Sequence, residues 1–357
     1  MKRFLLSLIF SLSLCIAEAD YRTWRALGNF KTEAEFVSYE AGIVRLRKRD
    51  GQEIAVRIER LTASDRLVVL ELAGQNARGA IPAGQIQKPT GRRELTWEPI
   101  LRGETWPEEM PESTKSALTR LKRGWKHVET EYFIIHYQQL GFARQVARMA
   151  DFQYQYIAAD LPGFKDLVKE KSHIVVVRNP EDWREFLSFN RSAQSWFAAY
   201  VQGKVMYLHD LGSTKENANL LAHEMSHLIL NRFFLYQPPV WLNEGLAEWY
   251  GNFGHSAFKG QKVDVARGLG DLENPIPLAE LTLMMGYPAN PGEISRFYRT
   301  SQQVVGMLML HKDHPTFVRF LKSITVDGKN FMEPLSEVYG LTEITELQKL
   351  FDEFLSD

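Results

Sequence analysis

The most informative stretch of this sequence is His223-Glu224-Met225-Ser226-His227. Histidines four residues apart lie on one face of a helix, so both can reach one metal ion while Glu224 faces its water. Helix signals flank the stretch: Ser213-Thr214-Lys215-Glu216 is typical of a helix start, and Pro238-Pro239 follows the expected end. The pattern therefore predicts a helix that carries two metal ligands.

A second stretch makes the prediction of a metal site more specific. The pentapeptide alone could also come from two ordinary histidines on the surface or in the core. It is Trp241-Leu242-Asn243-Glu244-Gly245-Leu246-Ala247-Glu248-Trp249. The 16 residues between His227 and Glu244 suffice for a helix end, a loop and a second helix. Glu244 can then return as a third ligand, and two histidines with one glutamate leave the open position of a catalytic zinc site. Glu248, one turn later, can accept the free ring N–H of a ligand histidine.

The two stretches together resemble the gluzincin metallopeptidases, the clan of thermolysin and aminopeptidase N, and more narrowly its peptidase MA-like branch. The resemblance covers roughly residues 125–355 and implies a zincin-type domain with a mixed sheet, an active-site helix and a helical C-terminal half. It implies one Zn²⁺ per chain, held by His223, His227 and Glu244. It further implies Glu224 as the general base and Glu248 as the residue that orients a ligand histidine.

Two further features are interpreted through the same resemblance. The stretch from Phe297 to Leu308 resembles the aminopeptidase segment that carries a catalytic tyrosine, with Tyr298 in its place and Thr300-Ser301 where the family has Gly-Lys. A tyrosine at the edge of the core would leave the same pattern. The aminopeptidase segment Gly-Ala-Met-Glu-Asn, which binds a free amino group, has no counterpart here. A predicted hairpin occupies its place, and we expect an edge strand there to pair with a peptide substrate. The residues concerned are Ala198, Ala199 and Tyr200.

The N-terminal part of the chain reads as a small β module. Ile43–Lys48 and Glu53–Ile58 alternate in hydrophobicity around Asp50-Gly51, which predicts a hairpin. The segment resembles the Sla homology domain, an SH3-like module. That resemblance depends on Arg22-Thr23-Trp24, Glu33-Ala34-Glu35-Phe36, Gly42-Ile43-Val44-Arg45-Leu46, and Leu61 with Ser64-Asp65. It implies a binding module without catalytic residues, and shielding or spacing the rest of the chain is the alternative role.

The first 19 residues have the features of a secretory signal peptide. Lys2 and Arg3 precede an apolar run, and Ala17-Glu18-Ala19 follows it as a cleavage site. The apolar run is shorter than the roughly 20 residues of a membrane-spanning helix, so a cleaved signal is favoured over an anchor. A secreted or periplasmic bacterial protein is expected. The only cysteine is Cys15, so the mature chain would have neither disulfides nor thiol ligands.

Length and composition set the limits of the interpretation. The 357 residues are 45% hydrophobic and 24% charged with a net charge of −1, which suits a soluble protein of two domains and gives no reason to expect nucleic acid as a partner. We predict a signal peptide (1–19), an SH3-like β barrel (20–73), a linker (74–93) and a metallopeptidase domain (94–357). In the predicted metallopeptidase domain the strands precede the helices, and this order favours an α+β fold with an antiparallel sheet.

The sequence thus predicts a secreted zinc metallopeptidase that acts on a peptide or protein, with an N-terminal module whose ligand is a protein or the cell wall. Two alternatives remain open at this point. The zinc site could be structural or vestigial in a non-catalytic binding protein, or the zinc could serve hydrolysis of cell-wall amide bonds. These patterns do not encode the substrate preference, the choice between endo- and exopeptidase, the oligomeric state or any regulation by the first domain.

Overall fold

A computed structural model describes most of the chain in ten ranges. The described ranges, apart from nine single positions, are 21–26, 30–40, 43–57, 111–120, 125–167, 170–188, 197–210, 218–261, 272–288 and 290–356. The predicted signal peptide (1–19), the linker (74–93) and the helix-start sequence Ser213–Glu216 lie outside these ranges. Among the described residues, no helix is both long and apolar enough to cross a membrane.

The N-terminal unit is a four-stranded antiparallel sheet in which each strand pairs with its neighbour in sequence. Its strands are β1 (Arg22–Ala26), β2 (Phe30–Glu40), β3 (Ile43–Lys48) and β4 (Glu53–Arg57). The predicted hairpin at Asp50-Gly51 is confirmed: Gly51 has a φ of +83°, which glycine adopts without strain, and Gln52 N donates to Asp50 Oδ1.

Residues of the predicted Sla homology pattern form the core of this unit. Trp24 is buried, and its indole N–H donates to the carbonyl oxygen of Ala34 at 2.8 Å. Arg22 lies over the Trp24 ring and pairs with the buried carboxylate of Asp65. The register shifts between Phe36 and Ser38, and such a bulge bends the strand that contains it.

Among its described residues the second unit combines five strands with ten α-helices, a 3₁₀ turn (Lys165–Leu167) and a π-helical turn (Leu335–Tyr339). The strands are β5 (Lys126–Glu129), β6 (Phe133–Tyr137), β7 (Ser172–Val177), β8 (Ala199–Gln202) and β9 (Val205–His209). The helices are α1 (Glu112–Arg120), α2 (Leu140–Asp160), α3 (Pro180–Ser188), α4 (Ala218–Phe233), α5 (Val240–Phe258), α6 (Leu278–Leu281), α7 (Pro291–His311), α8 (His314–Thr325), α9 (Met332–Pro334) and α10 (Ile344–Ser356).

The sheet of this unit is mixed, so the expectation of an antiparallel sheet from the order of elements is wrong. Its strand order is β5-β6-β7-β9-β8, and the pairs β6/β7 and β7/β9 are parallel. Parallel neighbours need a crossover connection. Here α2 connects β6 to β7, and the chain from β7 to β9 includes α3 and β8. The mixed sheet that the resemblance implies is present, and the α+β architecture agrees with the prediction.

Helices cover both faces of the sheet, because alternate residues of each strand point to opposite sides. Ile174, Val176 and Met206 face the core that includes α2 and α4. Val175 and Val177 face a second core, which contains residues of α1 and α3. The two helices with the predicted metal ligands, α4 and α5, pack in the larger core, which holds α4 against the sheet.

A half-buried carboxyl group, that of Asp151, is carried by α2 and contacts the turn before β6. Asp151 accepts a hydrogen bond from Thr130 Oγ1 at 2.6 Å. Burial nevertheless raises the pKa of Asp151 to about 6, because the ionised form is poorly solvated there. This folded-state pKa lies above the roughly 3.9 of an unfolded aspartate.

The raised pKa predicts a pH-dependent stability effect. The favourable contribution of the protonated carboxyl is complete below the unfolded pKa and is lost as pH rises through about 6. Asp151→Asn keeps an oxygen that can accept from Thr130 but removes the ionisation. We expect its melting temperature to exceed that of the wild type by roughly 2–6 °C at pH 8, with the difference shrinking between pH 6 and pH 4.

The matched control is Asp352→Asn, since Asp352 is exposed and also accepts a side-chain hydrogen bond, from Gln348. It should lack the pH-dependent difference. A Tm difference for Asp151→Asn that is equal at pH 8 and pH 4 would contradict the assignment.

Candidate metal centre

Two consecutive helices bring the three predicted ligands together. α4 carries His223 and His227, and α5 carries Glu244; six residues (234–239) connect them. The connection is fixed at its start, where the backbone N–H groups of Leu235 and Tyr236 both donate to the carbonyl oxygen of Thr325. Pro239 then precedes the first turn of α5, a position where proline's missing donor costs nothing.

The three donor atoms form a nearly equilateral triangle. His227 Nε2 lies 3.1 Å from His223 Nε2 and 3.2 Å from Glu244 Oε2, and His223 Nε2 lies 3.4 Å from Glu244 Oε2. A tetrahedral zinc site with bonds of about 2.0–2.1 Å requires its donor atoms to be about 3.3 Å apart. The spacing and the donor set therefore fit a metal ion of this kind. Among the described residues, this is the one group of three such side chains that could hold a metal.

Glu248 contacts His223 on the side of the ring that faces away from the triangle. Its Oε1 lies 3.1 Å from Nδ1 of His223, the ring nitrogen that points away from the triangle. A carboxylate in this place accepts the Nδ1–H and leaves the lone pair of Nε2 for a metal. The predicted relation between Glu248 and a ligand histidine is thus present in the geometry.

Electrostatic interactions hold the carboxylate of Glu244 in its ionised form. Burial by itself would raise the pKa of Glu244, but the charge and hydrogen bonds of His227 and His223 outweigh burial and hold the pKa far below its usual range. For His223, burial would lower the pKa, whereas hydrogen bonds to Glu244 and Glu248 raise it well above the ordinary value. The His223 ring and the Glu244 carboxylate thus favour each other's charged form.

Glu224 lies beside the triangle on the same helix. Burial raises the pKa of its carboxyl, and the neighbouring His223 and His227 partly offset that effect. A carboxylate with a raised pKa is a better proton acceptor near neutral pH than an exposed one. The position and the pKa both suit a general base.

Two tyrosines border the centre, and the sequence indicated only one of them. Tyr298, on α7, has its ring centroid 5.8 Å from that of His223. Tyr287 precedes α7, and its hydroxyl donates to Glu244 Oε1 at 2.6 Å. The local sequence Gly286-Tyr287-Pro288 has the composition of a turn and no helical periodicity, so nothing in it distinguished Tyr287 from an ordinary loop residue.

The predicted substrate strand is at the edge of the described sheet. β8 pairs with β9 on one side, and the described residues include no strand beyond it. His209 N donates to Ala198 O, so Ala198, Tyr200 and Gln202 are the residues that direct their main-chain groups toward β9. In an antiparallel ladder the intervening residues direct their N–H and C=O groups to the other side. Ala199 therefore presents its main-chain groups to the free edge.

Glycines let α5 approach its neighbours closely. A Cβ atom at Gly251 would lie 3.1 Å from the Cα of His223, and one at Gly245 would overlap the carbonyl oxygen of Ser301 in α7. Gly245 follows Glu244 directly, and Ser301 lies one turn after Tyr298. The contact between these two backbones thus sets the positions of a ligand and a candidate catalytic residue together.

A comparison with known families bears on the N-terminal unit. A family model described as SLA1 homology domain 1 matches residues 17–77, the segment that contains the cluster of Arg22, Trp24 and Asp65. This match supports an SH3-like Sla domain at the N-terminus. No curated protein and no solved structure matches the chain.

The close contact at Gly245 predicts a strong effect of one methyl group. Gly245→Ala should force α5 and α7 apart, which we expect to cost roughly 1–3 kcal/mol in urea unfolding. It should also weaken zinc binding in a titration, because Glu244 shifts with the helix. In Gly141→Ala, a Cβ would meet no atom within 4 Å, so that helical substitution serves as the control and should be neutral or slightly stabilising. Wild-type stability of Gly245→Ala would contradict the inferred contact.

Proposed function

We propose that this protein is a zinc-dependent metallopeptidase of the gluzincin type, with a zincin-like second domain. The observation that carries the proposal is the triangle of His223, His227 and Glu244 donor atoms, 3.1–3.4 Å apart. Two histidines and a carboxylate leave one position of a tetrahedral zinc open, which is the arrangement of catalytic rather than structural sites. Glu224 beside that position completes the groups that hydrolysis needs.

The three ligands would hold one Zn²⁺ per chain. When bound, zinc supplies a Lewis acid that lowers the pKa of water and polarises a carbonyl group. Glu224 accepts a proton from the water whose oxygen attacks the carbonyl carbon. As the C–N bond breaks, Glu224 gives this proton to the leaving nitrogen, so the carboxylate is regenerated.

Tyr298 is proposed to stabilise the negative charge that develops on the carbonyl oxygen. Its ring lies against that of His223, on the border of the site. Burial raises the pKa of its hydroxyl, which keeps it protonated and able to donate. Loss of one such donor typically lowers the rate by about 10²–10³-fold.

The substrate is proposed to bind as an extended peptide along β8. The strand packs on α4, the helix that carries both ligand histidines. Main-chain groups of Ala199 face the free edge of the sheet, and a peptide added there gains hydrogen bonds independently of its side chains. The Sla domain would bind a separate protein or cell-wall ligand after export of the chain to the periplasm or medium.

Two other functions make different predictions for the same residues. A structural or vestigial zinc site would bind metal without hydrolytic activity, and the N-terminal module would then carry the function. A zinc hydrolase of cell-wall amides would use the same ligands and base on another substrate, because the site alone does not determine which amide bond is cut.

The first test separates metal binding from catalysis. The purified wild-type protein should contain about one zinc per chain by mass spectrometry, and Glu244→Ala should lose or weaken it. Glu224→Gln should retain the zinc and lose hydrolysis of casein or a quenched peptide, because the amide cannot accept the proton.

Three outcomes would change the interpretation. Hydrolysis by Glu224→Gln at the wild-type rate would refute the base assignment. Digestion of peptidoglycan without hydrolysis of casein would favour the cell-wall amidase. A protein that binds no zinc on titration would favour the non-catalytic binding protein.

The second test addresses the substrate strand. Ala199→Pro removes an N–H that faces the free edge while leaving the hydrogen bonds between β8 and β9 intact. We expect KM for a peptide to rise about 2–10-fold, the value of one main-chain hydrogen bond. Ala199→Gly keeps the N–H and is the control. Equal KM values for the wild type and Ala199→Pro, with both proteins folded by thermal melting, would contradict substrate binding along β8.

A further inference from the structure

Tyr287 reaches the metal centre from an exposed loop. The loop connects α6 to α7, and two of its other side chains, Leu283 and Met285, are 78% and 94% exposed. Tyr287 is 57% exposed as a residue, and its ring contacts the rings of Phe297 and Tyr298. Its hydroxyl, in contrast, is directed inward to Glu244.

The two oxygens of Glu244 have different partners. Oε2 faces both ligand histidines, at 3.2 and 3.4 Å, whereas Oε1 accepts the Tyr287 hydrogen bond at 2.6 Å. The Glu244 side chain is almost fully buried. In such surroundings a hydrogen bond to a carboxylate is strong, and its loss leaves a buried oxygen without a donor. The phenol therefore fixes the rotation of the carboxylate.

We propose that Tyr287 is a positioning residue that makes Glu244 a one-oxygen metal ligand. The inference rests on the proposed function, since it takes the triangle to be a zinc site. A carboxylate that bound through both oxygens would occupy the space beside the ion that a water and a substrate carbonyl need. By engaging Oε1, Tyr287 keeps that space open and raises metal affinity, because the ligand is already oriented.

This role differs from that of Tyr298. The two rings are neighbours, with centroids 6.2 Å apart, and both hydroxyls lie near the centre. The hydroxyl of Tyr287 acts through a ligand, whereas that of Tyr298 is proposed to act on the substrate. Removal of each hydroxyl should consequently change a different measured quantity.

The test compares Tyr287→Phe with Tyr298→Phe in the full-length mature protein. Zinc dissociation constants are measured by competition with a chelator, and we expect Tyr287→Phe to bind zinc about 10–100-fold more weakly while Tyr298→Phe stays near the wild type. The cobalt-substituted proteins provide a second readout: the visible absorption of Tyr287→Phe should weaken, as it does when a tetrahedral cobalt site gains a ligand. At saturating zinc, kcat should fall mainly in Tyr298→Phe.

The outcomes separate this inference from the proposed function. A wild-type protein that binds no zinc would refute both. A wild-type protein that binds zinc, with an unchanged dissociation constant and cobalt spectrum in Tyr287→Phe, would overturn only the positioning role. A Tyr287→Phe protein with wild-type zinc affinity and a reduced kcat would instead make Tyr287 the residue that contacts the substrate.

Discussion

The candidate centre depends on the close approach of α5 to the helices on either side of it. Glycines at 245 and 251 place the α5 backbone directly against Ser301 of α7 and His223 of α4. Side chains at these positions would separate the helices by more than the tolerance of a metal site, in which donor distances vary by about 0.2 Å. The packing of three backbones, rather than any hydrogen bond, therefore determines where the two histidines, the glutamate and Tyr298 meet.

Contacts between histidines and glutamates then stabilise the side chains that helix packing has brought together. Glu244 and Glu248 contact the two sides of the His223 ring, so each ring nitrogen has a carboxylate partner. Burying such groups without partners would be costly, whereas paired they keep one another oriented. Glu224 is different, since both histidines are its neighbours but it does not belong to the triangle, as the proposed role of a base requires.

The sequence predicted the local features of this molecule better than its long-range ones. The helix at His223 and the hairpin at Asp50-Gly51 follow from spacings of a few residues, and both are present. The order of elements did not predict the parallel pairing of β6, β7 and β9, because helices that follow strands can serve as crossovers; only the resemblance implied a mixed sheet. Tyr287 was missed for a related reason: its partner Glu244 is 43 residues away, and a loop carries no periodic signal. Contacts of this kind are set by tertiary packing, which one sequence does not encode in any short pattern.

The connection between α4 and α5, only six residues long, bears on whether the chain folds before or after it binds an ion. An ion at the centre would bridge two helices that are neighbours in the chain, and both helices pack into the large hydrophobic core through residues such as Leu228 and Trp241. Zinc fingers, in contrast, lack a folded state until the metal arrives. We therefore expect this chain to fold first and to load its ion afterwards, so that metal supply would govern how much of the protein is active without governing how much survives.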